Sequence, residues 1–167
     1  MHRYILAAAF GLFSLTVLNG AAVAQGTTVA FGNLQHDTSL PVEVTSDELS
    51  VDQETGTAVF SGNVLVGQGD LRLSAARVEV VYSDDDSKIA RLLASGGVTM
   101  TNNSEALEAQ EAVYDLESST VTLTGEVVLT QGSNVLSGNR MVIDLTSGTG
   151  RIDGRVRTIL QTGGTSE

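Results

Sequence analysis

Phe60-Ser61-Gly62-Asn63-Val64 returns as Ala94-Ser95-Gly96-Gly97-Val98, as Leu123-Thr124-Gly125-Glu126-Val127 and as Ile152-Asp153-Gly154-Arg155-Val156. The shared glycines, at 62, 96, 125 and 154, are 34, 29 and 29 residues apart. A second landmark keeps the same rhythm: Val44-Thr45-Ser46, Leu73-Ser74-Ala75, Leu107-Glu108-Ala109 and Leu136-Ser137-Gly138. Its small third residues are 29, 34 and 29 apart. Both landmarks place one five-residue insertion between Gly62 and Gly96. A fixed period of this length marks a fold made from one repeated supersecondary unit.

Within each unit the apolar residues alternate. Ala58, Phe60, Val64 and Val66 share one side, followed by Leu71, Leu73, Val78, Val80 and Tyr82. Leu92, Val98 and Met100 repeat the pattern, as do Val121, Leu123, Val127 and Leu129, and then Met141, Ile143 and Leu145. Period two is the signature of half-buried antiparallel strands. Each unit reads as strand, Gly turn, strand, turn, strand, with the glycine at a bulge or tight kink. The connections, among them Gln68-Gly69-Asp70 and Gln131 to Asn134, are short and polar. Glu105 to Glu111 has helical propensity, but the repeat register makes it a strand. The expectation is an all-β domain of about a dozen short strands.

The N terminus reads as an export signal. Met1-His2-Arg3 is basic, Tyr4 to Leu18 is almost wholly apolar, and Ala22-Val23-Ala24 is a small-residue cleavage site. Removing residues 1–24 from the 167 leaves 143, the size of one domain. Losing Arg3 leaves eight bases against 20 acids, a net charge of −12. That balance argues against nucleic acid as a partner and against binding an anionic membrane surface by charge. Residues 25–39 read as a flexible N-terminal segment, 40–162 as the β domain and 163–167 as a frayed end.

Catalytic constellations are thin. His2 leaves with the signal and His36 lies in the polar flank, so no histidine triad forms inside the domain. With no cysteine, thiolate metal sites and disulfides are excluded. Asp84-Asp85-Asp86 lacks the spacing of a calcium loop and reads as a solvated turn. Glu108 with Glu111, and Asp47 with Glu48, read as surface charge. No cofactor is expected, and the residues point to binding rather than catalysis.

Alternation alone favours a filled core between two apolar faces, and so a structural β-repeat interaction protein without a lipid ligand. The last unit, Gly150 to Thr162, still reads as strand and carries no capping helix, so its edge is free to recruit another strand.

Leu40-Pro41-Val42-Glu43-Val44-Thr45-Ser46-Asp47, then Phe60 to Val66 with Gln68-Gly69, then Leu73-Ser74-Ala75-Ala76-Arg77-Val78, and Leu123 to Val127 form an ordered set. With the signal peptide, this set resembles the OstA-like (LptA) periplasmic lipopolysaccharide transport family over about Pro41 to Thr162. The resemblance implies a β-jellyroll with an apolar groove for the lipid A acyl chains of lipopolysaccharide. It also implies copies joined end to end, an inner-membrane LptC-like protein at the N-terminal edge and an outer-membrane LptD-like translocon at the C-terminal edge. The groove residues it implies, by register, are Val44, Leu49, Val51, Phe60, Val64, Val66, Leu73, Val78, Val80, Val98, Met100, Val127, Leu129, Met141 and Ile143.

Overall fold

A computed structural model describes residues 27–30, 37–52, 54–83, 88–103 and 105–161. The signal-peptide reading of residues 1–24, His36, the Asp84-Asp85-Asp86 run and the end at 163–167 lie outside them. The elements are β1 (Thr27–Ala30), β2 (Glu43–Thr45), β3 (Glu48–Asp52), β4 (Thr57–Gln68), β5 (Leu71–Tyr82), β6 (Ile89–Asn102), β7 (Glu105–Asp115), β8 (Thr120–Gln131), β9 (Asn134–Asp144), β10 (Thr149–Asp153) and β11 (Arg157–Ile159). They form one antiparallel meander in the order β1-β10-β9-β8-β7-β6-β5-β4-β2, with β3 also on β4 and β11 also on β9. Glu105–Asp115 is a strand, as its register demanded and its propensity did not.

The strands are longer than the expected dozen short ones, because the key glycine does not end a strand. β4 to β9 run for 11 to 14 residues each. Each of the five pairings between them breaks at a bulge on the same line, for example Ser61/Val64 and Thr124/Val127, and resumes beyond it; β5 with β6 has a second shift at Val81/Tyr82. The bulge bends the ribbon while the hydrogen-bond ladder continues on both sides. β2 with β3, and β10 with β11, are likewise two halves of one bent strand, pairing with β4 and β9 respectively. Among the described residues the sheet therefore consists of eight bent ribbons, folded along one line into two leaves, with the short β1 added beside β10. The first leaf carries β3 and β10, the second β2 and β11.

At the fold line Gly62, Gly96, Gly125 and Gly154 take φ of 74°, 83°, 81° and 78°, and the next residue is left-handed as well, from 46° at Arg155 to 85° at Gly97. Two consecutive left-handed residues turn the ribbon sharply, and the first has no room for a side chain. A Cβ at Gly96 would lie 2.7 Å from the Ala76 Cβ, and one at Gly125 2.7 Å from the Gln110 Cγ. Gly62 meets Asp47 and Gly154 meets Asn139 in the same way. Residues 47, 76, 110 and 139 each follow the small third residue of the second landmark. The two landmarks are thus the two sides of one corner. Backbone bonds from Asp47 N to Gly62 O (2.9 Å) and from Asn139 N to Gly154 O (3.0 Å) tie it.

Cross-strand register sorts the inner side chains into rows. In the first leaf one row runs Leu49, Phe60, Val78, Ala94, Ala112, Leu123, Met141, Ile152. In the second leaf a row runs Val44, Val66, Leu73, Met100, Leu107, Leu129, Leu136, Thr158. The leaves share one apolar core between them.

Candidate functional site: the interior between the leaves

The implied groove residues converge. Val64, Val66, Leu73, Val78, Val80, Val98, Met100, Val127, Leu129, Met141 and Ile143 are all buried between the leaves. Val44 and Phe60 are half-buried and pack against that core. Leu49 and Val51, on β3, are 53% and 62% exposed. Their register partners are Phe60 and Ala58, so they continue the inner face and are uncovered only because β3 is the last ribbon.

Among the described residues the interior is nearly filled. Its enclosed cavity has a volume of about 20 Å³ and is lined by both leaves, including Val66, Leu73, Val78, Leu92, Met100 and Tyr114. That is space for about one water and not for an acyl chain. Where both leaves line that cavity, the apolar groove is occupied by the protein's own side chains. The aliphatic rows of the two leaves form one core cluster, and Tyr114 is the aromatic residue that lines the cavity between them.

Opposite the fold line lies the mouth, where the free ends of the leaves meet. On the second leaf it is edged by two-residue turns, so that Gln68, Leu71, Asn102, Glu105, Gln131 and Asn134 form a final inner row. This row is mostly polar yet deeply placed: Gln68, Asn102 and Glu105 are buried. Tyr114, on the first leaf, donates from its hydroxyl to Gln68 Oε1 at 2.8 Å, across the mouth. Burial pushes the Tyr114 phenol up to about 12, against the opposing pull of that bond. Gln68 Nε2 in turn donates to Thr38 O (3.0 Å) and Leu40 O (2.8 Å). Ser119 Oγ, on the first-leaf rim, donates to Thr38 Oγ1 at 3.1 Å. The segment before β2 is thereby fastened to both leaves. Gln131 Nε2 donates to Glu105 Oε1, while Glu105 Oε2 is buried without a hydrogen-bond partner.

The rim of the first leaf is built from a repeated loop. Asp52, Asp115 and Asp144 each begin it, and a threonine five residues later resumes the ladder. Each Oδ1 accepts backbone amides two or three residues on: Glu54 (2.8 Å) and Thr55 (3.2 Å), Ser118 (2.8 Å), and Thr146 and Ser147 (2.9 Å each). These amide bonds hold all three carboxyls below their ordinary value, led by Thr55, Ser118 and Ser147 respectively.

Sequence reasoning missed Gln68 and Tyr114, which close the mouth, and Leu107, Ala109 and Ala112 of β7. The alternation of β7 contains the last three and Tyr114 too, but its glutamates obscured it. Nothing in the sequence marks Gln68, a turn residue, as buried. Part of the segment read as flexible, residues 25–39, is a strand. Thr27–Ala30 pairs as β1 with β10, from Thr27 opposite Ile152 to Ala30 opposite Thr149, because an unpaired edge of amide and carbonyl groups is satisfied by any strand within reach.

Comparison with known proteins agrees with this architecture. The structure superposes on LptH, the LptA-homologous periplasmic component of the lipopolysaccharide transport device of Pseudomonas aeruginosa, with a TM-score of 0.67 at 18% identity, covering 75% of this chain and 98% of that one. The lipopolysaccharide export system protein LptA of Haemophilus influenzae is 27% identical over 120 residues, 68% of this chain and 69% of that protein. An uncharacterized protein of Rhizobium meliloti is 27% identical over 130 residues, 74% of this chain and 70% of its own length. Residues 43–149, from the start of β2 to the start of β10, match the family described as LptA/(LptD N-terminal domain) LPS transport protein. The chain belongs to that lipopolysaccharide transport family.

Proposed function

We propose that this protein is an exported bridge for lipopolysaccharide, released from its signal peptide after Ala24, that binds rather than catalyses. It carries lipopolysaccharide from the inner to the outer membrane, with the acyl chains between the leaves and the sugars outside. Copies join end to end, with an LptC-like partner at the β2–β3 edge and an LptD-like partner at the β10–β11 edge. The observation that carries this reading is the inner face itself: apolar rows that cross all eight ribbons and continue, exposed, at Leu49 and Val51.

Since the interior is nearly filled, loading requires the leaves to part at the mouth while the glycine corners act as the hinge. Magnitudes favour this. Each methylene taken from water contributes about 0.8 kcal/mol, so an acyl chain of about a dozen supplies about 10 kcal/mol. The few hydrogen bonds across the mouth contribute about 1 kcal/mol each. Inner side chains exchange one apolar neighbour for another, so the polar bonds are the main cost of opening.

The filled interior favours a second reading, a structural β-repeat protein that takes no lipid. A photo-crosslinking amino acid separates the two. Placed at Phe60 or Val64, it labels lipopolysaccharide if the leaves open around acyl chains; at the exposed corner residue Asn63 it labels far less. Equal labelling from both faces, or none from inside, overturns the carrier reading.

A further inference from the structure

We propose that β1 is an internal stand-in for the β3 strand of a second copy, guarding the C-terminal edge until another molecule displaces it. The inference rests on the end-to-end reading above and adds a device to it.

The geometry begins with parity. Eight antiparallel ribbons are an even number, so the first and last run in opposite directions. A second copy set beside β10 therefore presents its β3 antiparallel to β10, and the sheet continues without a break. β1 runs antiparallel to β10 as well, in the direction that an incoming β3 would take. Its register also coincides. Thr27 stands opposite Ile152, on the row that begins at Leu49, and Val29 opposite Gly150, on the row that begins at Val51. Thr27-Thr28-Val29-Ala30 thus occupies the rungs that Leu49-Ser50-Val51-Asp52 of a second copy would fill.

The two occupants differ in charge. Residues 43–54, at the N-terminal edge, contain five acids and no base, whereas residues 149–161 contain three arginines and one aspartate. Unlike edges attract, which selects acidic edge against basic edge. β1 carries no charge. Its hold on β10 is indifferent to salt, and that of a second copy is not. β1 covers only β10; β11 has no strand beyond it among the described residues, so half of the edge remains available for a first encounter.

The chain has no cysteine, which makes disulfide trapping clean. In the full chain, Thr28→Cys with Arg151→Cys traps β1 on β10 within one molecule. Ser50→Cys with Arg151→Cys traps β3 of one copy on β10 of another and yields a ladder of oligomers. Deleting Thr27 to Ala30 from the second variant strengthens the ladder; if β1 holds the edge about nine-tenths of the time, joining tightens about tenfold. Raising salt weakens the ladder but leaves the Thr28–Arg151 trap unchanged. Absence of the intramolecular disulfide, or a ladder indifferent to the deletion, overturns the guard and leaves end-to-end joining standing. A ladder absent with and without β1 overturns end-to-end joining and the guard with it.

Discussion

The corner and the mouth close the same interior by different means. The corner is covalent chain: every ribbon passes through it, its glycines have side-chain contact on one side and no space for a Cβ, and backbone bonds pin it. The mouth is held by side chains, chiefly Tyr114 to Gln68 and Gln68 to the segment at Thr38 and Leu40. Under the proposed loading at the mouth, the structure needs one seam that stays joined and one that parts. The repeat supplies the first at every ribbon, and individual residues supply the second.

Four substitutions and one change of pH sharpen this contrast. Gly125→Val tests the corner against Gly132→Ala at a mouth turn. Both glycines have positive φ, 81° and 56°, but a Cβ meets Gln110 at the first and nothing within 4 Å at the second. The corner variant is expected to lose about 3 kcal/mol and the turn variant about 1 kcal/mol in denaturant unfolding; equal losses would remove the distinction. Tyr114→Phe leaves Gln68 Oε1 buried and unpaired, which costs about 1–2 kcal/mol. It should also raise binding of an apolar dye, because the mouth loosens while the corner holds. Glu105→Gln relieves a buried carboxylate whose Oε2 has no partner and is expected to raise stability by about 1 kcal/mol; a loss of stability would show that this carboxylate fastens the mouth.

The smallest effect concerns pH. Asp52, Asp115 and Asp144 have folded values below the ordinary 3.8. Their contribution is fully present above that value and is lost as pH falls through the lowered folded values. The exchange protection of the amides of Thr55, Ser118 and Ser147, relative to their intrinsic rates at each pH, should therefore fall below about pH 4, before the two-residue turns of the second leaf respond. Simultaneous loosening of both rims would contradict the local origin of these shifts.

Much of the corner was legible in the sequence and little of the mouth. Gly62, Gly96, Gly125 and Gly154 announce themselves because a backbone constraint tolerates one residue type, and the period follows from it. Alternation gave the inward faces because it reports one side chain in two, whatever the tertiary setting. The family resemblance added Leu49 and Val51 to that face, but their exposure depends on β3 being the last ribbon, which no local pattern shows. Whether the faces touch depends on the volumes of side chains from ribbons far apart in sequence, and no local pattern encodes that. Gln68 is buried because Tyr114 and Thr38 reach it from 46 and 30 residues away. The rim loops were partly visible: Asp52 and Thr57, Asp115 and Thr120, and Asp144 and Thr149 keep one spacing, and the aspartates recur after 63 and then 29 residues.

The alignment of the inner rows across the ribbons has a mechanical meaning. Neighbouring strands lie about 4.8 Å apart, so an apolar guest moving across them meets a new rung at that interval. Along the second leaf the rungs are Val44, Val66, Leu73, Met100, Leu107, Leu129 and Leu136, all aliphatic and of similar reach. On the proposed carrier role such a guest would meet an aliphatic rung at each step, and the parted interior would act more as a track than as a pocket with a floor. The aliphatic stretch ends at Thr158, the only polar rung of that row; under the proposed end-to-end joining, the next aliphatic residue in line would be Val44 of another molecule.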